Sequence, residues 1–216
     1  MPGARVRSIS RDPTVVEVPT PQGPARVHLC GAGEPRGVVV LGHGASGGVA
    51  ARDLVRVSEV ALETGFSSAL VEQPYRVAGR RSPAPAPRLD EAWTAVLARL
   101  RAVDLRGLPM VVGGRSAGAR VACRTAVDCG AIGVLCLAFP LHAPRRSTSG
   151  PVTTRQAELD AVALPTLVVQ GAGDPFGVPE ASATRKVVIV PGNHSLTADL
   201  DAVGQAVREW LSGLLG

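Results

Sequence analysis

Gly113-Gly114-Arg115-Ser116-Ala117-Gly118 follows an apolar run at 108–112 and leads into an alanine-rich helical segment. Read as strand, tight turn and helix, it sets a serine between glycines two residues away on either side. That is the G-x-S-x-G nucleophile elbow, in which a strained turn presents Ser116 Oγ at the carboxyl end of a strand. The glycines have a steric reason, because backbone from both sides of the turn closes on the strand and helix and leaves no room for a Cβ. In a chain with 25 glycines the pattern needs support from elsewhere. A hydroxyl nucleophile requires a base, an acid to orient the base, and donors for an oxyanion.

Working outward, residues 14–18 and 25–29 are rich in β-branched side chains and flank a proline- and glycine-rich turn at 19–24, an antiparallel hairpin. Residues 38–41 form a continuous apolar strand, as in a sheet covered on both faces. A glycine loop at 42–48 follows, then a helix over 50–64 ending before Gly65 at C′. The spacing predicts a strand at 67–72, a long proline- and arginine-bearing loop at 73–87, and a helix over 89–103 with Asp90 and Glu91 in its first turn. After the elbow come a strand at 132–138 and an irregular stretch at 139–163 with one short helix at 154–160. Strands at 164–170 and 186–190 and a last helix over 197–215 complete the chain. Strands alternating with helices imply a mostly parallel sheet with an antiparallel N-terminal hairpin, helices on both faces and no large cap. We expect a single domain over 1–216, with 1–12 as a tail; 216 residues suffice for one full core.

Four histidines are available as the base: His28 in the hairpin, His43 in the glycine loop, His142 after the strand that follows the elbow, and His194 between the last strand and last helix. In open α/β sheets, ligands bind outside the carboxyl ends of the strands, where the loop of His194 lies. Asp174, in Gly171-Ala172-Gly173-Asp174-Pro175, holds the corresponding place one strand earlier. The order Ser116, Asp174, His194 is that of the α/β-hydrolase triad. Taken singly, Asp174 reads more readily as a turn aspartate and His194 as a surface loop histidine. Together, three groups on three strand ends favour a triad.

The glycine loop admits three readings. Gly42, Gly44 and Gly47 match G-x-G-x-x-G between a strand and a helix, with Glu72 ending the next strand, which is a dinucleotide-binding pattern. A P-loop fails because no Lys-Ser/Thr follows. The favoured reading is an oxyanion hole, with one N–H from Ala45, or Gly44 beside it, and one from Ala117. His43 then reads as structural.

The stretches GHGASGG (42–48), EQPYRVAGRR (72–81), GGRSAGARVA (113–122), FPLHAP (139–144) and QGAGDPFG (170–177), followed by GNHS, are carried together. In this combination the chain resembles small α/β hydrolases of the dienelactone-hydrolase-like group. More narrowly it resembles the hydrolase-like family of the testis-expressed 30 protein and the hydrolase domain of an NSL-complex histone-acetyltransferase subunit. The resemblance implies the α/β-hydrolase fold with Ser116, Asp174 and His194 as triad. Dienelactone hydrolases typically carry a cysteine nucleophile, and Ser116 stands in its place here.

The formal charge of +5 could suggest a nucleic-acid partner, but Lys186 is the one lysine and the arginines are scattered, so we expect none. Arg76, Arg80 and Arg81 form the largest local group. Near the site mouth they would attract an anionic substrate; as a solvated loop they would do nothing. His142 would either touch substrate or fix the loop at 140–144. Cys30, Cys123, Cys129 and Cys136 show no metal-type spacing, and the last three read as small buried residues. The polar, basic start argues against a secretory leader, and no apolar run reaches the roughly 18 residues of a membrane span. The expectation is a cytoplasmic serine hydrolase of carboxylic esters or thioesters, acting on a small molecule through an acyl-enzyme, without cofactor or metal and without nucleic-acid or membrane partners. The alternative is a hydrolase fold kept as an inactive binding or scaffold module.

Overall fold

The computed structural model describes residues 12–143 and 153–215, and all but the last residue of the expected tail lies outside them. Its strands are β1 (Thr14–Val18), β2 (Ala25–Cys30), β3 (Gly37–Gly42), β4 (Phe66–Glu72), β5 (Met110–Arg115), β6 (Gly133–Leu137), β7 (Thr166–Gly171) and β8 (Arg185–Val190). They make one sheet in the order β1-β2-β4-β3-β5-β6-β7-β8. The hairpin β1/β2 is antiparallel and β2 meets β4 antiparallel, with Val27 opposite Val71. From β4 across to β8 every pairing is parallel.

Period-two alternation explains why the central strands are apolar throughout. Val38, Val40, Val112, Val134, Cys136 and Val168 face one layer, where helix α3 (Ala86–Arg99) contributes Trp93, Val96 and Leu97, and α4 (Ala117–Thr125) adds Val121 and Ala122. Val39, Leu41, Val111, Leu135, Leu137, Leu167 and Val169 face the other. There α1 (Arg52–Glu63) buries Leu54, Val57, Val60 and Ala61, while the last helix, Leu200–Leu214, buries Val203, Val207 and Leu211. Asp199 caps that last helix, its carboxylate accepting from Ala202 N–H at 2.8 Å.

Strand β3 lies between β4 and β5, so the chain leaves β3 in one direction through α1 and then returns past it to build the other half. The carboxyl ends of β3 and β5 are adjacent, with Gly42 in register with Gly114. This is a topological switch point, where open α/β sheets offer a crevice. The glycine loop and the elbow both open onto it.

The region after β4 departs from expectation. Residues 73–87 hold a short helix, α2 (Pro74–Val77), and α3 starts at Ala86 with proline in its first positions, where the missing N–H costs nothing. Asp90 and Glu91 therefore fall beyond the first turn, and they serve other partners than the helix dipole. Asp90 pairs with Arg124, and Glu91 accepts from Gln22 Nε2. At its far end α3 widens into a π turn over Leu100–Asp104, Leu105 N–H donating to Leu100 C=O at 2.7 Å, which lets both leucines reach the core. The short helix expected at 154–160 is α5 (Gln156–Asp160).

Candidate active site

Ser116 sits between β5 and α4 with φ 52° and ψ −106°, a conformation that non-glycine residues rarely adopt. The turn is held on both sides: Ser116 N–H donates to Leu137 C=O at 2.9 Å, and Ser116 C=O accepts the first bond of α4 from Arg120 N–H at 3.2 Å. A Cβ on Gly114 or on Gly118 would collide with the Gly42 carbonyl at the end of β3. The elbow glycines thus let three backbone segments meet, which is the steric role the sequence suggests.

His194 Nε2 lies 2.9 Å from Ser116 Oγ, and His194 Nδ1 lies 2.8 Å from Asp174 Oδ2. An ionised carboxylate only accepts, so Nδ1 carries the proton and Nε2 is left to accept from the serine hydroxyl. The Asp174 side chain is fully buried. Gln170 Nε2 donates to its Oδ2 at 2.8 Å and Phe176 N–H to its Oδ1 at 2.9 Å. The Phe176 ring meets His194 edge-on at 4.6 Å between centroids. Leu196, two residues after the histidine, is buried in the core facing α1 and anchors the His194 loop.

The glycine loop is pinned by two side chains. Gln73 N–H donates to His43 Nε2 at 3.1 Å, so the His43 proton is on Nδ1, which donates to Gly44 C=O at 2.8 Å. Burial pushes the His43 pKa down and keeps the ring neutral. Tyr75 Oη–H donates to Ala45 C=O at 2.9 Å, and burial pushes that phenol up to about 12. A trans peptide points its N–H away from its carbonyl, so turning Gly44 C=O toward His43 turns Ala45 N–H the opposite way. A Cβ on Gly44 would stand 3.7 Å from Ser116 Cβ, which places this loop directly beside the serine. Ala117 N–H, the first of α4, has no intrahelical acceptor.

Arg115, unexplained by sequence, ties the parts together. Its Nε lies 2.9 Å from Asp53 Oδ2 at the start of α1, and its Nη2 donates to His194 C=O at 3.1 Å. Asp53 is 1% exposed in its side chain, and burial pushes its pKa up against the opposing pull of Arg115. One guanidinium thus touches α1 and the histidine loop from inside the elbow.

A pocket of about 440 Å³ opens here, lined by Gly44, Ala45, Ser116, Ala117 and His194, with Arg115, Arg120, Arg124, Arg155, Phe176 and a wall from 83–89. The other expected residues fall elsewhere. Arg80 lines a separate groove with Gln22 and Arg88, while Arg76 and Arg81 line neither. His142 donates its N–H to Phe176 C=O at 2.8 Å and pairs with Thr154 in an isolated bridge, outside the pocket lining. Gly42, the first glycine of the dinucleotide pattern, packs against Gly118 and Trp93, and the Glu72 carboxylate lies 3.9 Å from His28 Nε2. Sequence reading missed Arg120 and Arg124, although their spacing from Ser116 puts all three on one helical face. Arg155 carries no such signal.

A mixed sheet of this order, with a serine on the turn after its central strand, defines the α/β hydrolases as a class. Residues 35–201 match the α/β-hydrolase domain family, and the chain belongs to it. Among solved structures, a dienelactone hydrolase from Anabaena variabilis is similar at 19% identity and a TM-score of 0.74, over 93% of this chain and 96% of the other. An α/β serine hydrolase without a lid from Xanthomonas campestris gives 16% and 0.72 over 94% and 95%. A Pyrococcus furiosus esterase gives 13% and 0.74 over 95% and 93%. These likenesses establish the fold. No curated protein sequence matches the chain. Among the described residues no helix is long and apolar enough to cross a membrane.

Proposed function

We propose that the protein is a serine hydrolase of carboxylic esters or thioesters with Ser116, His194 and Asp174 as its triad. The observation that carries this reading is the unbroken hydrogen-bond chain from Ser116 Oγ through His194 to buried Asp174, opening onto a pocket of small-molecule size. Ser116 Oγ attacks the substrate carbonyl carbon while His194 Nε2 takes its proton. The carbonyl oxygen becomes an oxyanion held by the N–H groups of Ala117 and Ala45, with Gly44 supplying clearance. As the tetrahedral species collapses, the C–O or C–S bond breaks and His194 returns the proton to the leaving alcohol or thiol. A water, deprotonated by His194, then releases the acid and regenerates Ser116. Asp174 fixes the His194 tautomer and stabilises the imidazolium. The chemistry calls on no cofactor or metal ion.

The narrower kinship with the group of the testis-expressed 30 protein and the NSL-complex hydrolase domain rests on the shared motifs. The test is covalent labelling by a fluorophosphonate probe with mass-spectrometric site mapping. The expected adduct is on Ser116, absent from Ser116→Ala and sharply slowed in His194→Ala. Folded protein that takes no adduct overturns the reading.

A further inference from the structure

Every ionisable side chain lining the pocket at Ser116 is basic: Arg115, Arg120, Arg124, Arg155 and His194. Three of these arginines are matched, Arg115 by Asp53, Arg120 by Glu158 and Arg124 by Asp90. Glu158 also lies 3.4 Å from Arg124. Arg155 has no carboxylate within ion-pair distance among the described residues. It donates through Nη1 alone, to Pro140 C=O at 2.8 Å and His142 C=O at 3.2 Å. Its Nε and Nη2 make no bond among the described residues.

Burial, and then the like charges of Arg120 and Arg124, push the Arg155 guanidinium down against the pull of Glu158, so the side chain stands where an anion would relieve it. Asp174 does not offset that charge at the pocket wall, since it is sealed behind His194 with Gln170 and Phe176 N–H on its oxygens. Set against Asp53, Asp90 and Glu158, the four arginines leave one positive charge unmatched among the described residues, at Arg155.

We propose that the ester or thioester carries a carboxylate, received by the open edge of Arg155 in the pocket that Ser116 also lines. The planar guanidinium edge suits a carboxylate, to which it donates two parallel hydrogen bonds. The proposal rests on Ser116 being the nucleophile of this pocket.

The experiment compares kcat/KM for acid and methyl-ester forms of two substrates. In p-nitrophenyl hydrogen adipate the carboxylate is on the acyl side; in the butyrate ester of para-hydroxybenzoate it is on the leaving group. We expect the acid form to be preferred about 10- to 100-fold in one arm, the value of a charge-assisted pair. That ratio falls in about 0.5 M sodium chloride, falls in Arg155→Gln, and returns in part in Arg155→Lys. Equal rates for acid and ester in both arms overturn the proposal, as does a preference that Arg155→Gln leaves unchanged. Should Arg155→Gln not fold, inhibition of p-nitrophenyl butyrate hydrolysis by free adipate in the wild-type protein decides, with hexanediol as the uncharged control. Failure of the underlying reading looks different: no fluorophosphonate adduct and no turnover of p-nitrophenyl butyrate. Calorimetry of adipate with Ser116→Ala then still reads the anion site, and adipate binding no tighter than hexanediol overturns it.

Discussion

Replacing Arg115 by methionine keeps most of the stem volume of a side chain that is 17% exposed and removes the guanidinium paired with Asp53. The Asp53 side chain is 1% exposed, and burial already raises its pKa. Without Arg115 the largest opposing pull is gone, leaving the backbone N–H groups of Leu54 and Asp53 against burial, and the folded protein is expected to hold the carboxyl protonated. The cost has a ceiling set by pH. At pH 7, protonating a carboxyl of ordinary pKa about 3.9 spans about 3.1 pH units at 1.36 kcal/mol each, or roughly 4 kcal/mol. At pH 5 the same step costs only about 1.5 kcal/mol. Losses of this size are typical when one partner of a buried pair is removed.

The sign follows from linkage. In Arg115→Met the folded Asp53 pKa lies further above its unfolded value, so the folded state binds the extra proton between the two. Stability is then greatest below the unfolded pKa and falls as pH rises toward the folded one. Urea unfolding at pH 5 and pH 7 reads this directly. Arg115→Met is expected to lose more stability at pH 7 than at pH 5, by about 1–3 kcal/mol. Asp53→Asn introduced into Arg115→Met recovers most of the pH 7 loss, since no charge is then stranded. A loss of equal size at both pH values, or additive single and double variants, would refute the reasoning.

The neutral, buried His43 gives an acid-side dependence of opposite sense. Its folded pKa is depressed by burial, so below about pH 6.5 the unfolded chain takes up a proton that the folded one refuses, and stability falls as pH drops. His43→Gln should flatten urea-unfolding stability between about pH 6.5 and 5 relative to wild type; parallel curves would count against it. The backbone of Ser116 offers a separate check. At φ 52° the residue bears a strain of about 1–3 kcal/mol that glycine relieves and alanine does not. After the entropy glycine adds to the unfolded chain, Ser116→Gly should exceed Ser116→Ala in unfolding free energy by about 1 kcal/mol. An alanine variant as stable as the glycine one would show the turn to be unstrained.

What the sequence made legible is what a single residue type dictates locally. Gly114 and Gly118 must be small because Gly42 C=O stands against both, and that constraint is written in the elbow itself. The strand ends carrying Asp174 and His194 are equally local, and parallel topology brings them to one rim. The start of α3 was less legible, because proline forbids a helix interior but favours its first positions, and sequence alone does not say which position is first. The arginines were least legible of all. Arg76, Arg80 and Arg81 are clustered in sequence yet do not line the pocket at Ser116, whereas Arg120, Arg124 and Arg155 come from separate stretches of the chain and line it together once α5 packs on α4.

A charge acts through space on whatever surrounds it, so its role depends on partners far away in the chain. Arg115 makes the point most sharply. Its own motif places it beside the nucleophile, but its partners are Asp53, sixty-two positions earlier, and the His194 carbonyl, seventy-nine positions later. The elbow, the start of α1 and the histidine loop are thereby held by one side chain. The side chain that pairs with buried Asp53 thus also holds the carbonyl of the residue hydrogen-bonded to Ser116, so one guanidinium links the stability of the fold to the geometry of the site.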